Sequence, residues 1–371
     1  MTHNFLIISN PQPYCDRFGD VPTFYRYLAQ DKRINLFHCN TAQVLNSARE
    51  DPTVWATEIK DDLPYEEFIN LKHLSASPFA LEKFDLAFCR SLKPFPPGYL
   101  ECLSNWEKRL LFVNSPSYKQ EQIEADFLLK IASAWIPDTI VTQDYDIAFD
   151  FWLQHRTVIA KHTNSCGGRG VYKIWYENSL FQVDNFNQGQ HSFRSFAEVL
   201  NYLTANTDAP LQFVRYLQQV NQGDKRIVVV DGEIYGAYIR RSKSGHWVNN
   251  VSGDGECLLA EITAPEREAI ASTVVAYQKR GLHTLGYDFL LNDDHVWRIS
   301  EINAGNIGGF ARLEQLTQTP VMGYFVDWLI DFAKRKQLTL PAENERGFLA
   351  HRQNLPKQAH ASLNRGSVSP G

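Results

Sequence analysis

Three oxygen-bearing side chains, Asp288, Glu301 and Asn303, interrupt a stretch that otherwise reads as a buried hairpin. Tyr287, Phe289 and Leu291 alternate along one strand, Asn292-Asp293-Asp294 supplies turn chemistry, and Trp297 and Ile299 alternate along the next. Glu301 and Asn303 then share a face, because strand side chains repeat every second residue. Asp288 faces opposite to Tyr287, and strand twist can carry it across to the Glu301 and Asn303 end. Two carboxylates and an amide carbonyl in an apolar setting repel and stay poorly solvated unless a positive charge lies between them. A hard divalent cation such as magnesium takes this oxygen ligation, usually shared with phosphate. The competing reading is an exposed sheet face carrying ordinary polar residues.

Other segments offer matching chemistry. In "VIAKHTNSCGGRGVYKI" Lys161 sits on a strand, followed by a loop with Gly167, Gly168 and Gly170 and then by another strand. Such a loop can bend over phosphates and present backbone N–H groups, with Lys161 as a point charge. It is not a P-loop, since no Gly-Lys-Ser/Thr end and no helix follow, and a tight hairpin with convenient glycines reads the segment equally well. Cys166 has no readable His/Asn arrangement to make it a nucleophile. "QGDKRIVVVDGE" sets Asp224 and Arg226 on one side of an apolar strand; an exposed ion pair is the plain alternative. Arg240 and Arg241, with Asn250 in the glycine-bearing loop beyond them, add cations and an amide. Cations, carboxylates and a glycine flap together suit a polyphosphate, a metal and a second anion.

The elements that must position these groups divide the 371 residues into several modules. "NFLIIS", "INLFHC", "FDLAFCR" and "RLLFVN" alternate with helices at "VPTFYRYLAQ" and "GYLECLSNWEK", an α/β pattern with a parallel sheet over 1–115. Arg90 falls just past a strand's carboxyl end, where ligands bind in such sheets. The region 116–205 opens with one helix at "EQIEADFLLKIAS" and contains the glycine loop. The region 206–337 holds the Asp231-Gly232 hairpin, a helix capped by Thr263 and Glu266, the carboxylate hairpin and a helix at "VMGYFVDWLIDFAKRK". Residues 338–371 read as a polar tail. A 44% hydrophobic fraction predicts substantial cores, and a net charge of −5 gives no reason to expect nucleic acid or anionic membrane as a partner. The six scattered cysteines lack a Cys-x-x-Cys pair, and with no apolar run of spanning length they predict reduced thiols and a cytoplasmic chain. A homo-oligomer stays open.

In order and spacing, "RLLFVNSP", "IPDTIVT", Lys161 with "CGGRG", "GDKRIVVVDGE" and "GYDFLL…SEIN" resemble the ATP-grasp superfamily, and within it bacterial glutathione synthetase, from about Phe84 to Ile330. The resemblance implies an α+β ATP-grasp fold: a two-lobed nucleotide-binding unit with antiparallel sheets behind the α/β module. It implies ATP and Mg²⁺, with Mn²⁺ as an alternative, and places Asp288, Glu301 and Asn303 at the metal. It assigns Lys161 to phosphate, Gly167, Gly168 and Gly170 to the flap, Arg215, Tyr216 and Leu217 to the adenine, and Asp224, with Arg226 nearby, to the ribose end. Arg90 and Arg240 match substrate positions, and Arg241 with Asn250 faces the reacting carboxyl. Two departures stand out. Ala125 or Asp126 replaces a phosphate-contacting lysine, leaving Lys130 one turn later as the substitute. After Asn303 a hydroxyl-rich stretch gives way to Ala304-Gly305-Asn306-Ile307-Gly308-Gly309-Phe310, whose Gly305, Asn306, Gly308 and Gly309 could capture a substrate carboxylate through backbone N–H groups. The implied activity is amide formation between a small-molecule carboxylate and an amine, amino acids or peptides, through an acyl phosphate. A phosphotransferase or a non-catalytic nucleotide-binding regulator are the alternatives.

Overall fold

The structure is a computed structural model that describes residues 2–12, 14, 16–47, 53–60, 62–163, 165, 167–243, 245–249 and 255–339. Its first sheet contains β1 (His3–Ile8), β2 (Ile34–Cys39), β3 (Thr53–Ile59), β4 (Ser77–Ala80), β5 (Leu86–Cys89) and β6 (Phe112–Val113), in the order β4-β3-β2-β1-β5-β6. The four strands β2, β1, β5 and β6 run parallel, as their apolar sequences predict for strands covered on both faces. Sequence reading missed β3 and β4, which add an antiparallel edge beyond β2.

The second sheet is antiparallel throughout: β7 (Thr139–Thr142), β8 (Val158–Lys161), β9 (Val171–Glu177), β10 (Leu180–Asn185), β11 (Gly189–Phe193) and β12 (Leu211–Arg215), ordered β11-β10-β9-β8-β12-β7. The third is also antiparallel: β13 (Asp224–Val230), β14 (Glu233–Arg241), β15 (Glu256–Leu259), β16 (Thr284–Leu291) and β17 (Trp297–Asn303), ordered β15-β14-β13-β16-β17. Every residue of β13 is buried, as befits the central strand. The β13–β14 turn places Asp231 at φ 50° and Gly232 at φ 89°, the left-handed pair that a two-residue hairpin loop requires.

Boundaries of packing differ from boundaries of sequence pattern. The strand β12, beyond residue 205, lies inside the second sheet between β8 and β7. The stretch expected to be one helix is two, Pro116–Gln122 and Phe127–Ala132, and Phe127 and Ala132 pack on the third sheet with the helix Ala264–Gln278. One face of the third sheet shares a core with the first: Val228, Val230 and Tyr238 join Phe5, Ile7 and Phe24, and Phe325, Leu329 and Ile330 of the helix Val321–Thr339 close over them. The second sheet has its own core with the helices Tyr145–His155 and Phe196–Thr204. Among the described residues no helix is long and apolar enough to cross a membrane.

Candidate active site

A cavity of about 390 Å³ opens where the three sheets meet, a volume suited to a small ligand. Asn114, just past β6, fixes that junction. Its amide donates to Thr284 O (2.9 Å) and Ala304 O (2.7 Å) and accepts from the N–H groups of His283 (2.8 Å) and Thr284 (2.9 Å). Gln122 adds a 3.1 Å bond to Ile302 O, tying the helix Pro116–Gln122 to β17.

The register of β16 and β17 sets Asp288 directly across from Glu301 and Gly286 across from Asn303, with a bulge after Asp288. All three oxygen-bearing side chains line the cavity. The register of β13 sets Arg226 across from Asp288 and Asp224 across from Arg240. Arg226 clasps Asp288 through Nε (2.5 Å) and Nη2 (2.9 Å), and Arg240 reaches Asp288 and Asp224, both at 2.8 Å. Asn303 Nδ2 donates to the same Asp288 carboxylate at 3.1 Å. These are paired buried charges, the arrangement that burial demands. Burial alone would raise the Asp288 pKa, but the two guanidinium groups outweigh it and hold it below the ordinary value. At Asp224 burial wins, with Asp288 adding to it against Arg240, and the pKa is pushed up to about 6.

Lys161 at the end of β8 donates to Ser300 O at 3.0 Å, bridging the second sheet to the third. Burial lowers its pKa, and Glu301, Asp288 and Asp224, in that order, oppose the change. Beyond it Gly167 (φ 65°) and Gly168 (φ 74°) take left-handed conformations that favour glycine, and both line the cavity. Asn185 holds this loop by donating to the carbonyls of Gly168 (3.3 Å), Arg169 (3.1 Å) and Val171 (2.9 Å). Ile159, Val214 and Leu290 give the cavity an apolar wall beside Arg215, Tyr216 and Leu217.

The structure therefore brings together Lys161, Gly167, Gly168, Arg215, Tyr216, Leu217, Asp224, Arg226, Arg240, Asp288, Glu301, Asn303, Gly305 and Asn306. Several expected residues lie elsewhere, for identifiable reasons. Successive strand side chains point to opposite faces, so Arg240 meets the carboxylates while Arg241 turns to Gln222 O (3.1 Å). Lys130 is exposed and paired with Asp126 at 2.8 Å, because its helix packs on the third sheet through Phe127 and Ala132. Gly170 is pressed against Ser165 and His162 within the loop. Gly308 O accepts from Arg226 Nη1 (2.9 Å) and Gly309 N–H donates to Asp20 (2.9 Å), so both glycines serve the frame. Arg90 is buried and does not line the cavity, although the neighbouring Ser91 does, and its Nε and Nη1 lack hydrogen-bond partners among the described residues. Asn250 lies outside the described residues.

Sequence reasoning missed Lys119. It lies on the helix Pro116–Gln122, is 6% exposed, and lines the cavity, as does Ala125. Asp288, Glu301 and Asn303 offer oxygen donors alone, the ligation magnesium takes, once the Asn303 amide rotates its carbonyl inward and Asp288 shares the carboxylate that Arg226 and Arg240 hold. Among the described residues no group of three or more His, Cys, Asp or Glu gathers for a metal.

The chain is similar in sequence and in fold to known proteins. The family model of the prokaryotic glutathione synthetase ATP-grasp domain matches residues 127–318, just over half of the chain. Glutathione synthetase from Nostoc sp. (strain PCC 7120 / SAG 25.82 / UTEX 2576) is 23% identical across 75% of this chain and 84% of its own. Two solved structures share the fold. The VanG D-Ala:D-Ser ligase from Enterococcus faecalis has a TM-score of 0.60 at 10% identity, covering 90% of this chain and 100% of its own. The ATP-grasp ligase PsnB, complexed with minimal precursor, Mg and ADP, has 0.53 at 17%, covering 89% and 98%. With the matched stretch containing β8, the glycine loop, β13 and the β16–β17 hairpin, the chain belongs to the prokaryotic glutathione synthetase family of ATP-grasp proteins.

Proposed function

We propose that the chain is an ATP-dependent ligase that joins a carboxylate to an amine, with amino acids or short peptides as the partners. The observation that carries this reading is the β16–β17 register, which sets Asp288 against Glu301 in a cavity that Lys161 also lines. In this reading the nucleotide base rests on Ile159, Val214 and Leu290 beside the Arg215–Leu217 segment, and the loop with Gly167 and Gly168 covers the phosphates. A substrate carboxylate oxygen attacks the γ-phosphorus, the bond to the β-phosphate oxygen breaks, and ADP leaves an acyl phosphate behind. The amine then attacks the acyl carbon, loses a proton and expels phosphate. Lys161 balances charge on the transferring phosphoryl oxygens, and we assign the oxyanion to Arg240, which lines the cavity as Arg241 does not. Asp288, Glu301 and Asn303 would hold magnesium, or manganese through the same oxygens, which neutralises phosphate charge when bound. Loop closure excludes water from the acyl phosphate.

The test is ADP release from Mg-ATP with paired amino acids and short peptides, with products weighed by mass spectrometry. Turnover should depend on particular pairs and give a product lighter than its two parts by one water. Glu301→Ala should lower the rate about a hundredfold or more. A product heavier by a phosphoryl group would make the chain a phosphotransferase, and nucleotide binding without turnover would favour a regulator.

A further inference from the structure

Several buried cations in and near the cavity have anionic neighbours. Arg226 and Arg240 share Asp288 and Asp224, and Lys225, on the same strand as Arg226, meets Glu266 at 2.8 Å. Lys119 differs. Its amine reaches the cavity with a long 3.5 Å contact to Ala304 O and lies 5.2 Å from the centre of the Phe95 ring. Among the described residues no carboxylate stands within ion-pair distance of it. A side chain at Gly305 would run into this amine, so the missing Cβ leaves the space that the amine fills. The like charges nearest in effect are Lys93 and Arg90, and burial together with Lys93 lowers the Lys119 pKa to about 7. An ammonium held this way lacks a counter-charge, and the cavity is where one can enter.

We propose that Lys119 is the docking point for an anionic group of the substrate, seated between the Ser91–Phe95 segment and the Ala304–Gly305 turn. This rests on the ligase reading for the word substrate, and on the geometry alone for the anion. A carboxylate that does not itself react suits the place, because the carboxylates and Lys161 that would handle phosphoryl transfer lie beyond Ala304 along β17 and on β8. The docked anion supplies the partner that the folded chain withholds, so Lys119 sets which substrates are accepted rather than how fast they react.

The test measures binding, by calorimetry, to the full chain saturated with magnesium and a non-hydrolysable ATP analogue. The probes are dipeptides with a free C-terminal carboxylate and the same dipeptides amidated there. The wild type should prefer the free acids at least tenfold. Lys119→Met should abolish the preference and leave the affinity for the analogue unchanged, and Lys119→Arg should retain the preference. Absence of any acid-over-amide preference in the wild type overturns the proposal, as does the same preference in Lys119→Met. Weaker analogue affinity in Lys119→Met also overturns it, by assigning the amine to nucleotide phosphate. In an active pair, a loss confined to kcat that Lys119→Arg does not rescue would mean proton transfer and would overturn it too. Because binding is read without turnover, failure of the ligase reading leaves this result standing on its own.

Discussion

Burying an ammonium with no carboxylate beside it among the described residues makes Lys119 costly to the ligand-free fold. Its folded-state pKa of about 7 lies below the ordinary 10.5, so the unfolded chain holds the proton more tightly than the folded one. The penalty is complete below pH 7 and fades as pH rises from 7 towards 10.5. Lys119→Met should therefore stabilise the free protein at pH 7 by roughly 2–4 kcal/mol, a tenfold change in proton affinity being worth about 1.4 kcal/mol. The gain should nearly vanish at pH 10. Thermal midpoints at the two pH values check this, and an equal gain at both would refute it. The same residue marks the limit of sequence reading. Asp288, Glu301 and Asn303 stand out in the sequence because they break an alternating apolar pattern, and all three line the cavity. Lys119 breaks no pattern, since a lysine between Tyr118 and Gln120 on a short helix reads as surface. Arg240 and Arg241 show an intermediate case. Alternation says that they part company, but only the register against Asp224 says which one enters the cavity.

At the scale of elements, the long apolar strands and the Asp231-Gly232 and Asn292-Asp293-Asp294 turns were legible, because pattern and turn chemistry agree there. The strands β3, β4, β11 and β15 were not: they lie at or next to sheet edges, and β4, β11 and β15 are short and largely exposed. Edge strands carry little apolar alternation, so their pairing is set by neighbours that sequence does not name. The helix break between Gln122 and Phe127 is likewise set by packing on the third sheet. The glycine loop offers an element-level prediction. Asn185, on β10, makes three hydrogen bonds to carbonyls of the loop and its following strand, so one side chain keeps a glycine-rich segment in shape from outside it. Asn185→Ala should loosen the loop and raise the KM for ATP about tenfold, at roughly 0.5–1.5 kcal/mol per lost bond with partial relief by water. Steady-state kinetics at varied ATP reads this out, and an unchanged KM would show that the loop needs no such support.

Across the whole molecule, three sheets meet at one cavity but do not share cores equally. The second sheet is packed from residues between Ala148 and Phe213, whereas the first and third have a core in common. Native-state hydrogen exchange in rising denaturant should therefore show β8, β9 and β10 opening as one unit, apart from β1, β5 and β13, which should lose protection together. A single isotherm for all six strands would contradict this. Such a division suits a site in which the glycine loop moves while the carboxylate hairpin stays fixed.

That common core has a consequence for the birth of the chain. The first sheet is complete once β6 has been made, yet Phe325, Leu329 and Ile330 cover it from a helix far downstream. At roughly 5–20 residues per second, the ~200 residues between β6 and the helix Val321–Thr339 take about ten to forty seconds to synthesise. Throughout that interval the face that Phe325, Leu329 and Ile330 will close is covered only in part, by Phe24, Tyr25 and Leu28 of the helix Asp20–Gln30, so the downstream helix completes a core begun long before it.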